Sequence, residues 1–328
     1  MVNPQWELGR VGTRTEITKV FGGSPVGGGI CPANETSSVL IFSDPEAGEK
    51  YGYHDGWLEE EDEYGPVFEY TGHGQEDQTF EGQGGTGNRA VLHHVDDGRT
   101  LRVFKAVGTV KGTNTKRHRY LGRFELDRKQ PYEVRQALNK AGVMRRVIVF
   151  RLRPVGEDFE RRQDDVIPPA SETKVSAVPA NVTTSAIVEP ETNKKTKSSR
   201  SAAPKTVAER REAKLSEAFQ AYMSDRGRKL TRFQIKVKGL TSTLLTDLYD
   251  DQAHVLYELK GASTREAVRM AIGQLFDYSR HVQPANPKLA VLLPEEPHED
   301  LRALLESLGI ALVYQSGKTF VGVPGLDA

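Results

Sequence analysis

The chain has 328 residues, and its 45 basic residues (Lys and Arg) balance its 45 acidic ones (Asp and Glu). A single cysteine, Cys31, excludes an intrachain disulfide and a cysteine-rich zinc site, and is best interpreted as a small buried residue. The first residues lack the apolar segment of a secretion signal, and no run approaches the ~18 apolar residues that span a membrane. We therefore expect a soluble, cytoplasmic protein with two domains of ordinary size.

The first domain, residues 1–156, is predicted to be an α+β domain dominated by a β-barrel. Short runs of strand-forming residues alternate with glycine and Asp/Asn turns, which is typical of small barrel-like folds. The predicted strands are residues 38–43, 89–93, 101–107, 120–126 and 146–153. One helix is expected at 132–141, where Gly142 would end it.

Residues 157–205 are predicted to form a flexible linker. This stretch is rich in Pro, Ser, Thr, Ala, Lys and Glu and nearly lacks aromatic residues. Such a composition cannot bury enough apolar surface to offset the entropy lost on ordering.

The second domain, residues 206–328, is predicted to be an α/β sandwich with a mixed sheet between helices. A helix from Val207 would carry one apolar face, made by Leu215, Ala218, Phe219, Tyr222 and Met223. Predicted strands follow at 232–238, 243–249, 254–260, 288–293, 310–314 and 318–323, with a helix at 299–307. Another helix, ending near residue 280, would begin at Ser263, whose hydroxyl forms a capping box with Glu266.

Residues 53–88 mix glycines, aromatic residues and carboxylates in a way that a hydrophobic core does not require. A protein that inspects one base of a duplex must unstack it, at a cost of a few kcal/mol, and recover that cost in a tight pocket. Tyr53 and Tyr70 could supply two flat faces, and Asp55 an acceptor for the exocyclic amine of cytosine. The alternative interpretation is a glycine-rich β-domain whose tyrosines are edge or core residues.

This segment resembles the signature of SRA domains, which flip a modified cytosine out of duplex DNA. The matching residues are Tyr53, Asp55, Tyr70-Thr71-Gly72-His73-Gly74, Asp77-Gln78 and Asn88, continued by Leu101–Lys105 and Arg119–Gly122. The resemblance implies a PUA-type barrel with a modified-base pocket lined by Tyr53, Asp55, Tyr70, Thr71 and Asp77. The basic finger loop of eukaryotic members is missing here or relocated, since Asp77 closely follows Gly74. Gly56 stands where the family often has a second acidic residue. A preference for hemimodified DNA is therefore not implied.

A second group of residues lies in the predicted sheet of the second domain. Asp247 is expected on one strand, with Glu258 and Lys260 on one face of the next strand and Leu259 buried on the other. Two carboxylates at one level of a sheet make an oxygen site suited to Mg²⁺, and a neighbouring ammonium can stabilise charge on a scissile phosphate. Asp250 or Asp251, in the connecting turn, could replace Asp247 only with a shifted register. Charged pairs on exposed strands give the same pattern without any function.

The pattern resembles the PD-(D/E)xK nuclease motif, with Thr246 in place of the proline. Gln274 and Tyr278, four residues apart on a helix, are similar to the Gln-x-x-x-Tyr motif of its Mrr- and RecB-type members. The resemblance implies catalytic roles for Asp247, Glu258, Lys260, Gln274 and Tyr278, with Mg²⁺ or Mn²⁺ on the two carboxylates. An auxiliary acidic residue is expected from the first helix, at Glu217 rather than Glu212.

Together the two resemblances predict a modification-dependent, type IV-like restriction endonuclease in the cytoplasm of a prokaryote. Its partner would be double-stranded DNA carrying 5-methylcytosine or 5-hydroxymethylcytosine, and we expect a homodimer or a transient dimer on DNA. A repair nuclease for damaged bases and a non-catalytic binder of modified DNA are the alternatives. Ser316-Gly317-Lys318-Thr319 imitates the end of a P-loop, but a strand follows it, so no nucleotide is expected. His93-His94 resembles part of a metal site, but no further ligands follow at zinc spacing, so solvated histidines at a strand end are the better interpretation. The basic run 116–119 could contact phosphate or be a solvated turn.

Overall fold

The computed structural model describes residues 6–51, 53–180 and 207–326. They divide into two compact units, one up to Pro169 and one from Ala170. The boundary therefore lies later than the predicted end of the first domain at residue 156. No helix in the described ranges combines the length and the apolar composition needed to cross a bilayer.

The first unit is rich in β-structure, as predicted. Its strands are β1 (Val11–Thr13), β2 (Ile30–Ala33), β3 (Ser38–Ser43), β4 (Gly56–Trp57), β5 (Phe68–Thr71), β6 (Thr100–Thr109), β7 (Lys116–Leu126), β8 (Tyr132–Leu138) and β9 (Met144–Phe159). Three helices join them: α1 (Arg14–Phe21), α2 (Pro45–Glu49) and α3 (Thr86–Leu92).

These strands form one sheet in the order β2-β3-β6-β7-β9-β5-β4, with β1 added to β7 and β8 to β9. Among the described strands the hydrogen-bonded path ends at β2 and β4, so the pairing does not close the predicted barrel. Most pairs are antiparallel, but β3 and β6 are parallel. One core lies beside α1 and contains Phe21, Phe42, Phe104 and the buried Cys31. A second aromatic group surrounds Trp57, which is fully buried.

Two predicted elements of this unit are wrong. Residues 132–138 form the strand β8, paired with β9 from Tyr132↔Phe150 to Leu138↔Met144, and not a helix. Residues 89–93, predicted as a strand, fall largely in α3. Both segments are short, and tertiary pairing overrides local preference in such segments.

The second unit contains a mixed sheet covered by helices on both faces, as predicted. Its strands are β10 (Lys174–Pro179), β11 (Leu230–Lys236), β12 (Thr243–Leu245), β13 (Leu248–Asp250), β14 (Val255–Leu259), β15 (Lys288–Leu293), β16 (Ala311–Ser316) and β17 (Thr319–Val321). The helices are α4 (Val207–Ser224), α5 (Arg265–Ser279) and α6 (Glu299–Ser307). The sheet order is β10-β11-β13-β14-β15-β16-β17, with β12 added to β11.

Two apolar layers hold this unit together. Phe219 and its neighbours on α4 pack with Tyr257 and Leu259 on one face of the sheet. Leu275 on α5 and Leu305 on α6 pack with Leu256 on the other face. Alternation along β14 therefore sends odd-numbered side chains to α4 and even-numbered ones, including Glu258, to the side of α5.

Part of the predicted linker is ordered. Residues 157–159 complete β9, and β10 pairs antiparallel with β11, which seats Val178 and Ala180 in buried positions. Backbone pairing and these two apolar contacts hold a segment that its composition alone marks as disordered. The rest of the predicted linker, residues 181–205, lies outside the described residues.

The helix predicted from Ser263 begins one residue later. Thr264 is its N-cap, and its hydroxyl accepts a hydrogen bond from the backbone N–H of Ala267. The Ser263 hydroxyl instead donates to the carbonyl of Glu295, at 2.8 Å. Adjacent hydroxyl residues make such one-residue errors easy, because either can cap the helix.

Candidate functional sites

Strand β5 and the loop before β4 bring the predicted pocket residues of the first unit together. The Asp55 carboxylate accepts a hydrogen bond from the backbone N–H of Thr71, at 2.7 Å from Oδ1, and its side chain is almost fully buried. Burial raises the pKa of Asp55 to about 7, although the hydrogen bonds from Thr71 and Ser43 oppose this shift. Asp55 can therefore change its charge near neutral pH.

Two tyrosines lie close to this carboxyl group. Tyr70 is buried, and its hydroxyl lies against Gly29 so closely that a Cβ there would be 2.3 Å from Oη. Tyr53 is partly buried and stacks on Tyr51, with ring centroids 6.2 Å apart. Burial raises the pKa of Tyr53 to about 12, with the charge of Asp55 adding to the shift. Both tyrosines therefore remain neutral donors or acceptors with apolar ring faces.

The backbone from Thr71 to Gly74 is held by two buried amides. Gln78 donates to the carbonyl of Gly72 at 2.6 Å and accepts from the N–H of Ile148 at 2.7 Å. Asn88 accepts from the N–H of His73 at 2.7 Å and donates to the carbonyl of His73 at 3.0 Å. A Cβ on Gly72 would be 2.8 Å from the Asn88 side-chain oxygen. The amides of the motif therefore shape the loop that follows Tyr70.

Asp77 has different partners from the other predicted pocket residues. Its carboxylate accepts from the backbone N–H of Arg146 at 2.8 Å and from the Arg146 Nε at 2.9 Å. Both side chains are about half exposed. These contacts anchor the loop to β9, and a place for Asp77 in the pocket stays a prediction.

Arg145 is a pocket neighbour that the sequence did not reveal. Its guanidinium donates to the carbonyl of Gly74 at 2.9 Å, and its positive charge favours the ionised form of Tyr53. Its Nε is buried without a hydrogen-bond partner in the described part of the chain. Burial lowers the pKa of Arg145. The one sequence signal for this position is the alternation of side chains along β9, which sends Arg145 and Arg146 to opposite faces of the strand.

The basic run at 116–119 does not form a phosphate-facing surface. Lys116 pairs with Glu46 at 3.0 Å, and Arg119 forms a buried ion pair with Asp165. Burial lowers the pKa of His118 to about 4, and its ring meets Phe42 edge-on at 5.0 Å. Only Arg117 of the four is exposed. His118 and Arg119, which the sequence suggested for phosphate contact, therefore lie in a continuous buried run of β7.

In the second unit, β14 ends in a buried ion pair. The Lys260 ammonium donates to Glu258 Oε1 at 2.7 Å. Lys260 is 9% exposed and Glu258 is 2% exposed. Leu259 points to the opposite, apolar layer, as predicted. Asp247 lies in a bend between β12 and β13, not within a strand, and its Oδ2 accepts from the backbone N–H of Leu259 at 2.7 Å. Asp247 is therefore joined to the strand that carries Glu258 and Lys260.

Electrostatics tie these groups into one cluster. Burial raises the pKa of Glu258 well above its usual range, and the charge of Asp247 adds to this effect. Burial alone would lower the pKa of Lys260, but the carboxylates of Glu258, Asp247 and Glu212 together raise it. Lys260 is therefore a charged donor at neutral pH. The second oxygen of Glu258, Oε2, is buried without a hydrogen-bond partner among the described residues.

Helix α5 adds the two residues predicted from the Gln-x-x-x-Tyr pattern. Gln274 donates to the Tyr278 hydroxyl at 3.3 Å. Burial raises the pKa of Tyr278, and the charges of Glu258 and Asp247 add to that rise. The structure therefore brings all five predicted catalytic residues to one place.

Of the two acidic residues considered on the first helix, Glu212 lies beside the cluster, whereas the sequence favoured Glu217. Glu212 Oε2 accepts from the backbone N–H of Gly261 at 3.2 Å, next to Lys260. Glu217 is exposed. The two positions are five residues apart, so they point to different sides of α4.

Asp250 is not an alternative ligand to Asp247. It is fully buried, and the Arg228 guanidinium donates to its Oδ2 from Nε and Nη2, at 3.0 and 2.8 Å. Its Oδ1 accepts from the N–H of Gln252 and shapes the turn before β14. Both oxygens of Asp250 are therefore committed to structure.

The donor set around Glu258 fits a hard divalent cation. Glu258 Oε2 is buried without a hydrogen-bond partner among the described residues, and carboxylate oxygens are the ligands that Mg²⁺ uses. Within the described ranges, no group of three or more His, Cys, Asp and Glu side chains is gathered at ligand distance. Cation binding by Asp247 and Glu258 therefore stays a prediction.

Comparison with known proteins identifies the first unit. Residues 9–168 match the family model described as "ScoMcrA-like, SRA domain". No curated protein matches the chain.

The structure of the type IV phosphorothioation-dependent restriction endonuclease ScoMcrA is 21% identical over 49% of this chain, with a TM-score of 0.33, and the chain spans 30% of its length. The SRA domain of SUVH5 in complex with fully methylated CG DNA is 21% identical over 49% of this chain and 97% of that one, with a TM-score of 0.32. The DNA recognition domain of the cytosine modification-dependent restriction endonuclease LpnPI is 12% identical over 43% of this chain and 66% of that one, also at 0.32. The family match and the motif residues that surround Asp55 agree, and residues 9–168 form an SRA domain of the ScoMcrA-like type.

Proposed function

We propose that the protein is a modification-dependent DNA endonuclease. The first unit would read a modified cytosine in duplex DNA, and the second would hydrolyse a phosphodiester bond with Mg²⁺ or Mn²⁺. The observation that carries the proposal is the buried Glu258–Lys260 ion pair with Asp247 joined to its strand, present in the same chain as an SRA domain. Recognition of a modified base by the first unit does not require a buried carboxylate oxygen of Glu258 that lacks a hydrogen-bond partner among the described residues.

The pocket of the first unit supports recognition of a flipped base. The ring faces of Tyr53 and Tyr70 can stack on a base, and such stacking is worth about 1–3 kcal/mol per base. Asp55 can accept a hydrogen bond from the exocyclic amine of cytosine when it is ionised. The Thr71 N–H fixes the orientation of that carboxylate. Discrimination of the modification would then depend on the space beside the C5 position of the ring.

In the second unit, Asp247 and Glu258 would hold the cation, which supplies Lewis-acid polarisation of the phosphate when bound. Hydrolysis requires a water oxygen to attack phosphorus in line while the bond to the leaving oxygen breaks. Lys260 keeps its proton, since its pKa is raised, so it acts as a hydrogen-bond donor and not as a base. Its ammonium would orient the attacking water and stabilise charge on the phosphate. Gln274 and Tyr278 close one side of the cluster.

A double-strand break needs two such centres, because one cluster cuts one strand. We therefore propose that two copies act together, as a homodimer or as a transient pair on DNA. The proposed partner is duplex DNA that carries 5-methylcytosine or 5-hydroxymethylcytosine.

Digestion of matched duplexes tests the proposal. The full chain is incubated with Mg²⁺ and duplexes that differ only in carrying cytosine, 5-methylcytosine or 5-hydroxymethylcytosine. We expect cleavage of a modified duplex alone, and no cleavage by Lys260→Ala, with the exposed Lys288→Ala as its control. Cleavage by Lys260→Ala at the wild-type rate would overturn the nuclease assignment. Selective binding without cleavage would favour a non-catalytic reader, and preference for lesion-bearing duplexes would favour a repair nuclease.

The reader is tested separately by binding. Tyr70→Ala is expected to bind modified and unmodified duplexes equally well, while the exposed Tyr64→Ala keeps the preference of the wild type. A preserved preference in Tyr70→Ala would contradict the assignment of the pocket.

A further inference from the structure

The outer face of α5 carries an arrangement that internal packing does not explain. Gly273 lies in the middle of this helix and is exposed, and a Cβ added there would meet no described atom within 4 Å. A glycine in a helix interior costs about 1 kcal/mol relative to alanine. Nothing in the described part of this unit requires that cost, so the glycine points to a partner outside the chain.

The residues around Gly273 are placed symmetrically about it. Met270 and Phe276 lie three residues before and after it, and both are unusually exposed for apolar residues, at 61% and 46%. Arg269 and Asp277 lie four residues to either side. Positions three and four residues apart share one face of a helix, so these four surround the glycine on one surface.

The charges along this face are opposite at mirrored positions. Arg269 mirrors Asp277, and Glu266 mirrors Arg280, each seven residues from Gly273. Within one chain, Arg280 already pairs with Asp277 on the same face. The charge order along the helix is therefore minus, plus, minus, plus, and reversing the helix direction inverts every sign.

We propose that this face binds the same face of a second copy of the chain, with the two α5 helices antiparallel about a twofold axis at Gly273. In such an isologous contact residue i meets its mirror position. Met270 would pack on Phe276 of the partner subunit's helix, Arg269 would pair with Asp277, and Glu266 with Arg280. The two glycines would let the helix axes approach near the lower end of the usual 8–10 Å range.

The occupant is a second copy because its surface repeats the pattern with inverted charge order, which an unrelated helix would match only by chance. Thioether–aromatic contacts would add to the apolar burial. One helix pair covers less area than a standard interface of about 1,600 Å². The association is therefore weak and depends on concentration. It is independent of the proposed nuclease function, because self-association is its readout.

The pairing would also bear on how two catalytic clusters meet. Gln274 and Tyr278 lie on the flank of the same helix. The twofold axis would therefore fix the position of one cluster relative to the other through the two paired α5 helices. This consequence rests on the proposed function. The association itself does not.

Charge exchange between two variants tests the contact. In Arg269→Glu, the new glutamate would face Asp277 of the other copy, and the twofold axis repeats this repulsive pair. In Asp277→Arg, the new arginine would face Arg269 of the other copy, again in two symmetric pairs. We expect sedimentation equilibrium of the full chain to give self-association at least about tenfold weaker for each variant than for wild type. An equal mixture of the two variants regains the affinity of the wild type, because each mirrored pair is then opposite in charge. A mixture no tighter than either variant alone would overturn the proposal.

Disulfide trapping provides a second measurement. Gly273→Cys would place two thiols next to the axis, where a disulfide can form once the added side chains move the two helices apart to the Cα separation of about 4.4–6.8 Å that the bond needs. Under mild oxidation we expect covalent dimers of this variant to form faster than those of Ala303→Cys, an exposed position on α6. Native Cys31 is buried and serves as the background in both. Equal rates for the two variants would contradict the proposed axis. Circular dichroism confirms that each exposed substitution leaves the fold intact.

Discussion

At the scale of single residues, Asp55 combines burial with an unusual charge state. A buried carboxyl whose folded pKa exceeds its unfolded value stabilises the fold most when protonated. For Asp55 the pKa rises from 3.8 to about 7 on folding. Its contribution to stability is therefore complete below about pH 4 and is lost as the pH rises through about 7. The hydrogen bond from Thr71 survives in both states, since an acceptor oxygen remains in each.

We predict that Asp55→Asn removes this loss of stability. Between about pH 4 and 7 the free energy of unfolding of the first unit should fall by up to roughly 4 kcal/mol more in the wild type than in the variant. Tryptophan fluorescence during urea unfolding measures this free energy at each pH, because both tryptophans of the chain, Trp6 and Trp57, lie in the first unit. Parallel stability curves for the two proteins across this range would show that Asp55 does not titrate there.

The residues of both sites could be selected from the sequence because their chemistry is unusual and their spacing is regular. Asp55 contacts the strand that carries Tyr70, and Glu258 and Lys260 form an ion pair, while the functional roles of these residues stay predictions. Arg145 could not be selected, since an arginine in a run of basic residues gives no sign of which face it occupies. Its neighbourhood is defined by a loop more than sixty residues away along the chain, through its bond to Gly74.

At the scale of elements, the orientation of α4 determines which acidic side chain lies beside the Asp247–Glu258–Lys260 cluster. The apolar stripe of α4 was predicted correctly, and it packs on the sheet through Leu215 and Phe219. The stripe alone did not distinguish Glu212 from Glu217, because both flank it. Glu212 lies beside the cluster because it accepts a hydrogen bond from the Gly261 N–H. This contact forms only when the end of β14 is in place, so the sequence of α4 does not reveal it.

We predict that Glu212→Gln slows cleavage of a modified duplex about tenfold or more while Glu217→Gln does not. The glutamine keeps an acceptor for the Gly261 N–H but removes a charge that raises the pKa of Lys260. Single-turnover cleavage rates with Mg²⁺ measure the effect, and the exposed Glu217→Gln is the matched control. Equal rates for the two variants would limit Glu212 to a structural role.

The error at β8 has a specific cause. Residues 132–141 contain good helix formers, and Gly142 resembles a helix C-cap. In the structure Gly142, with φ +77°, ends a turn in which the Asn139 side chain accepts from the N–H groups of Ala141 and Val143. A helix end and a hairpin turn both need glycine at positive φ, so the local sequence fits both. Pairing with β9 selects the strand.

At the scale of the whole molecule, each unit buries its own apolar core. The division into two units could be predicted from the change of composition, but its position could not. The segment around β10 has little apolar content, and Val178 and Ala180 find their burial only against the folded second unit. Long-range pairing of this kind leaves almost no trace in local composition.

We predict that Phe219→Ala destabilises the second unit by about 3–5 kcal/mol, because a fully buried aromatic ring leaves a cavity. Far-ultraviolet circular dichroism should show part of the unfolding transition at lower urea, while the tryptophan transition of the first unit stays in place. Leu308→Ala, at an exposed position, is the control. A tryptophan transition that shifts equally with the circular dichroism signal would contradict separate unfolding of the two cores.

Strand β9 has a consequence for how the protein is made. It is the only described strand that joins β5 and β4 to the rest of the first sheet, through pairs such as Tyr70↔Phe150. On the ribosome, β5 emerges long before its partner has been translated. Until then its edge is open to wrong pairing, and Tyr70 lacks its partner Phe150 on β9. Nascent chains that stop before β9 should therefore require chaperones and carry no base-binding activity, so the reader matures only late in synthesis of the first unit.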